Sequence, residues 1–250
     1  MQKLIEQKLQ ELKANFPENP EFRSWLSKSD IWGWIHGSFR IEGRPVDRSA
    51  AVDLVEGRIR EEMPLSSYAF VQNYQSVYAD MKACIYMQTS LTPELICRWA
   101  KMLQGLSEDT PDEDLYRKNR AIVYEWELIP VEEDKVRSGV KSLVKQYNRS
   151  LENPDMDPLE RASIFHLQLL KLYPFGEETL TAALAVLMFS LLQQELPIPE
   201  LTVDDRAYNT LVADFVDSGS AEPFTRMLER SVYNRLETVV SLAKQAKENE

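Results

Sequence analysis

Between Leu180 and Leu192 the chain carries only two polar residues, Thr181 and Ser190. No face of a helix built from this stretch would be fit for water. A helix from Glu178 to Gln194 must therefore lie at the centre of a domain, with the remaining elements wrapped around it. The run is too short to span a bilayer, which takes about 20 apolar residues. The chain has 250 residues, enough for a sizeable core. Only 8 are glycine, and leucine, alanine, glutamate and lysine are plentiful, a balance that favours helices.

Helical spacing and breakers divide the rest. Leu4, Ile5, Leu9 and Leu12 mark a first amphipathic helix ending near Ala14, before FPENPEF. A second helix runs through FRSWLSKSDIWGWIHGSF, and its Trp25, Trp32 and Trp34 are expected in a core. IEGRPVDRS is a turn region in which Asp47 or Ser49 could cap the next helix, AAVDLVEGRIREEM. A long helix is expected from Ser66 to about Met87, and another from Thr92-Pro93-Glu94 to near Leu106. Further helices are expected over Glu132–Leu151, Pro158–Leu172, Val203–Asp217 and Pro223–Lys247. One strand candidate stands among them: in YRKNRAIVYEWELIPV, Tyr124, Trp126 and Leu128 alternate with Glu125 and Glu127. The expectation is an all-α chain with one small β element.

Net charge is −11 with no Lys/Arg-rich block, which argues against nucleic acid and anionic membranes as partners. The opening MQKLIEQKLQELKANF is amphipathic and of mixed charge rather than signal-like, so a cytoplasmic protein is expected. Cys84 and Cys97 lie in apolar, helix-like surroundings and read as buried free thiols. The two histidines, His36 and His166, form no cluster of metal-ligand spacing with them.

Four stretches together resemble the Fic (Fido) family, whose members transfer AMP or related phosphate groups to protein hydroxyls. DPLERASIFHLQLLKLYPF, with His166 seven residues before Tyr173, resembles the helix leading into the family's central motif. SFRIEG, Ser38 to Gly43, is similar to its inhibitory-helix pattern, Ser/Thr-x-x-x-Glu-Gly/Asn. YRKNRAIV followed by WELIPVEEDKV resembles its β-hairpin flap and the helix after it. RAYNTLVADFVDSGSAEPFTRML is similar to the helices that close the fold. The resemblance implies a Fic-like helical bundle over residues 46–250, with an N-terminal helical extension carrying the inhibitory-like motif over residues 1–45.

The central motif departs from the family pattern, His-Pro-Phe-x-Asp/Glu-Gly-Asn-Gly-Arg-x-x-Arg. Tyr173 stands in place of the catalytic histidine, Pro174 and Phe175 match, and Glu177 matches the acidic position. Glu178-Thr179-Leu180 replaces Gly-Asn-Gly, and Thr181 and Leu184 replace the two arginines. A histidine is suited to take the incoming hydroxyl's proton near neutrality, whereas a phenol titrates near pH 10. Phosphates need exposed backbone N–H groups, close approach over glycine, and an arginine. Here Thr179 and Leu180 carry side chains and two glutamates sit at the helix start. Glu177, which by the resemblance would hold Mg²⁺, is a lone carboxylate and a weak metal candidate. Glu42 has lost the arginine it would pair with and is expected to meet backbone N–H groups near Thr179 to Thr181, or water, with Ser38 as a local cap. An ordinary helix-ending Glu-Gly turn stands beside that reading. For Tyr173 and Trp126 the alternative to a functional role is packing, and for His166 a hydrogen-bonded core position.

Two principal readings follow, with a third beside them. One is a degenerate Fic-domain protein, unable to transfer AMP and without a cofactor, that binds or regulates a protein partner or self-associates. The other is an active transferase with Tyr173 or Glu177 as base, using Mg-ATP or an unusual donor. A plain oligomerisation module is a third.

Overall fold

The computed structural model describes residues 1–43, 47–58 and 65–248. The expected domain boundary at 45/46 and the end of AAVDLVEGRIREEM lie outside the described residues.

Among the described residues the architecture is helical throughout. The order is α1 (Gln2–Asn15), α2 (Pro20–Ile41), α3 (Arg48–Val55), α4 (Leu65–Tyr86), α5 (Pro93–Gln104), α6 (Asp112–Leu115), α7 (Glu133–Ser150), α8 (Pro158–Leu172), α9 (Thr179–Gln193), α10 (Asp205–Ser218) and α11 (Glu222–Glu248). The described helices fall close to the expected spans because the punctuation is chemical. Thr92 Oγ1 accepts the Leu95 N–H at 3.1 Å with proline at the first turn of α5, and Gly105 ends that helix in the left-handed conformation, φ +67°. Asp157 Oδ1 accepts the N–H groups of Leu159 and Glu160 to start α8. Asp47 stands at the N-cap of α3 and accepts the Ser49 hydroxyl.

α9 is the axis. Residues Ala182 to Leu192 are all buried, Ser190 included, its hydroxyl bonding back to the Val186 carbonyl. α8, α5, α4 and α2 pack around it. The two ends of the chain meet, because α1 lies along α11 and buries Ile5 and Leu12. Trp34 is fully buried, whereas Trp25 and Trp32 are half-buried, with the guanidinium groups of Arg235 and Arg48 over their rings. Cys84 and Cys97 are free and buried, and burial pushes the Cys97 thiol up to about 11.

The strand reading is corrected. No strand forms among the described residues; Val123 and Leu128 make a single antiparallel bridge. The residues between them wind into a 3-10 turn, Tyr124–Trp126, closed by Glu127 at φ +48°. That winding breaks the alternation at Tyr124, which turns out, while Trp126 and Leu128 stay buried between exposed Glu125, Glu127 and Ile129. Trp126 turns inward and donates from Nε1 to Asn209 Oδ1 at 2.8 Å, while Tyr124 is 80% exposed.

No described helix is long and apolar enough to cross a membrane.

Candidate functional site

The stretch from Tyr173 to Leu184 joins the end of α8 to the start of α9. Tyr173 closes α8 in the left-handed conformation, φ +50°, with its N–H on the carbonyls of Leu169 and Leu170. The Tyr173-Pro174 segment is held from outside by Arg117. Its backbone N–H donates to the Pro174 carbonyl at 2.8 Å and its Nε to the Tyr173 carbonyl at 2.9 Å. The same guanidinium reaches the carbonyls of Asn119 and Val131, so one arginine ties the motif turn to both ends of the 119–131 segment. Nothing in the sequence pattern marks Arg117 for this task.

Pro174 and Phe175 are buried, and Phe175 packs against Tyr116 with ring centroids 5.3 Å apart. The chain then makes one 3-10 turn, Gly176–Glu178, with Gly176 at φ +60°, and enters α9. Thr179 is fully buried and its Oγ1 accepts the Phe175 N–H at 2.9 Å. That hydroxyl takes up a backbone donor inside the turn itself. Glu177 and Glu178 are exposed at the helix start, where the helix dipole favours carboxylates. Leu184 is fully buried and Thr181 half-buried.

The Tyr173 ring is half-buried and lies edge-on to Trp126, centroids 6.1 Å apart. Burial first, then the charges of Glu177 and Glu125, push its phenol above the ordinary value against the opposing pull of Arg117. Tyr173 is thus a poorer base than a free tyrosine.

His166 is fully buried. Its Nδ1 lies 2.9 Å from the Ala183 carbonyl, which can only accept, so Nδ1 carries the proton and Nε2 accepts the Tyr208 hydroxyl. Burial lowers its pKa to about 4. A neutral histidine tying α8 to α9 and α10 is structural geometry, and it is sealed from the Tyr173 turn.

The inhibitory-like segment does meet the start of α9. Glu42, just past α2, lies with Oε1 3.4 Å from Thr181 Oγ1, which donates to it. This contact runs through a side-chain hydroxyl, within the Thr179 to Thr181 stretch where Glu42 is expected to find backbone N–H groups or water. Gly43 follows at φ +68° and packs near Asp205. Ser38 does not cap with its side chain: its Oγ is buried without a partner, and only its carbonyl takes the Glu42 N–H, at 3.0 Å. Ser38 is still inside α2, where a hydroxyl has no free helix end to serve. Among the described residues no group of His, Cys, Asp and Glu has the arrangement to hold a metal ion, Glu177 included.

No protein-family model matches the sequence, and no curated protein sequence matches it either. Solved structures do match in shape. A Fic-domain-containing signalling protein from Bacteroides thetaiotaomicron superposes with TM-score 0.80 at 17% identity, over 99% of this chain and 98% of that one. A Fic family protein from Desulfovibrio desulfuricans gives 0.69 at 18% identity, over 95% and 73% of the two chains. A fragment of Fic-1 from C. elegans gives 0.74 at 15% identity, over 98% and 73%. At this identity the likeness speaks to the fold, and it runs along nearly the whole chain with the Tyr173 turn feeding the buried axis. The chain has the all-α fold of Fic-domain proteins.

Proposed function

We propose that this chain is a Fic-fold protein that has given up nucleotide transfer and acts by binding or regulating a protein partner. The observation that carries the proposal is the start of α9. Thr179 fills the turn and takes the Phe175 N–H, Glu177 and Glu178 stand where a phosphate would approach, and Leu184 is locked in the core. A carboxylate about 4 Å from a phosphate oxygen is repulsive by roughly 4 kcal/mol at intermediate dielectric. With its pKa raised rather than lowered, Tyr173 is not poised to take a proton at neutral pH.

The flap supports the binding half of the reading. Ile122, Tyr124, Ile129 and Val131 are exposed by 58%, 80%, 78% and 42%, an apolar run on an acidic chain. Such surface is characteristic of contact with another protein. Glu42 against Thr181 keeps the inhibitory-like segment seated on the same turn.

Calorimetric titration of Mg-ATP tests the first half. No saturable heat and no label passed from ATP to protein are expected. Binding in this turn, with transfer abolished by Glu177→Ala, would establish the active-transferase reading instead. For the second half, Tyr124→Asp with Ile129→Asp should abolish capture of a protein partner from lysate while leaving the circular dichroism spectrum unchanged.

A further inference from the structure

At the opposite end of the α8–α9 pair lies a cavity of about 600 Å³, within the range of small-molecule sites. It sits where α4 and α9 end and α8 begins. The length of α9 separates it from the Tyr173 turn by roughly 22 Å. Its wall is largely polar and neutral, with the side chains of Gln88, Ser90, Asn153, Gln193 and Gln194. Its charged groups are Glu6 and Arg161, the latter in the first turn of α8.

Arg161 is 93% buried by its 7% exposure, yet no carboxylate pairs with it among the described residues. Its Nη2 donates to the carbonyls of Asn153 and Met156, each at 3.2 Å, and its Nε is buried with no acceptor. Arg235, by contrast, whose side chain is 9% exposed, is paired with Asp30 at 2.9 Å. A guanidinium withdrawn from water and left without a counter-charge is costly, and an oxyanion supplied from outside removes that cost. With Nη2 given to two carbonyls and Nε sealed, Nη1 is the nitrogen left to meet a carboxylate or phosphate oxygen in a charge-assisted hydrogen bond, and the surrounding amides and hydroxyl can read the polar remainder of a ligand. Glu6 is the single carboxylate on the lining, contributed by α1.

We infer that this cavity binds a small molecule with an oxyanion head, held by Arg161, at a site separate from the Fic motif. The site is independent of whether the motif transfers nucleotide.

Thermal melts of the full chain test this with acetate, succinate and inorganic phosphate, each against sodium chloride at matched ionic strength. A saturable rise in Tm is expected with at least one of the three, and which one responds names carboxylate or phosphate as the head group. Arg161→Gln should weaken the apparent affinity about tenfold or more, the loss expected on removing hydrogen bonds to a charged group. Ser90→Asp, an exposed wall position, adds a repelling charge without touching the core and should also weaken it. If Arg161→Gln does not fold, Ser90→Asp and Arg161→Lys decide the matter. A Tm response no larger than that to chloride, or one unchanged in these variants, overturns the inference.

Discussion

Thr179 illustrates how one buried hydroxyl settles the shape of a turn. It accepts the Phe175 N–H in a site closed to water, so no solvent molecule replaces it when it is removed. Thr179→Val keeps the volume and deletes the acceptor. Urea denaturation should show a loss of about 1–3 kcal/mol, the cost of an unpaired buried donor. His166 makes a second residue-scale prediction. Its folded pKa of about 4 lies below the value near 6.5 expected unfolded, so between those pH values the unfolded chain binds a proton that the folded chain refuses. This stability is fully present above pH 6.5 and is lost as pH falls toward 4, by up to about 3 kcal/mol. In His166→Gln the stability measured between pH 7 and pH 4 should fall less steeply than in the parent. An equal slope would show that the histidine is not buried neutral.

At the scale of elements, α2 earns its position by a close approach. A Cβ on Gly37 would come 3.0 Å from the Leu201 backbone nitrogen and 3.3 Å from its carbonyl oxygen. The adjoining turn of α2 clamps the same segment, with Arg40 Nη1 on the Thr202 carbonyl at 3.1 Å and His36 Nδ1 against Glu200 at 2.7 Å. In a free helix Gly37→Ala would stabilise by about 1 kcal/mol. Here the contacting atoms belong to backbone that is pinned on both sides, and overpacking of about 1–3 kcal/mol wins. The substitution should therefore lower Tm, and a rise would mean that the 199–202 segment yields. The 123–128 segment shows the opposite case. A period-two pattern in YEWEL predicted a strand, but Trp126 found Asn209 on α10 and the chain wound to deliver it. Alternating burial survives from Glu125 to Leu128 without a strand, because one large aromatic has a deep tertiary site.

At the scale of the whole molecule, α1 and α2 both pack against α11. Ion pairing of Lys244 with Glu11 lies on the surface and contributes little. The buried pair is different. Arg235 reaches Asp30 and the Ser29 hydroxyl, and Tyr78 donates to the same carboxylate at 3.1 Å. Burial outweighs these partners and pushes the Asp30 carboxyl up. The pair is therefore a constraint on how α2 meets α11 more than a source of stability. Arg235→Met alone should cost about 3–5 kcal/mol in urea denaturation, and adding Asp30→Leu should recover much of it. A double variant as unstable as the single would contradict this account.

The helices, the caps of α5 and the central place of α9 were determined by the sequence alone, because periodicity, capping and all-round hydrophobicity are local properties. The Tyr173 turn was legible as a Pro-Phe punctuation feeding α9, and its resemblance pointed to the fold. What the residues of the turn touch was decided only in three dimensions. Arg117 lies 56 residues from Tyr173, Glu42 lies 139 from Thr181, and Trp126 lies 83 from Asn209. No local pattern encodes such partners, since each depends on how helices already formed are stacked. Arg161 belongs with them: in sequence it is one arginine at a helix start, and only packing removed it from water without giving it a counter-charge.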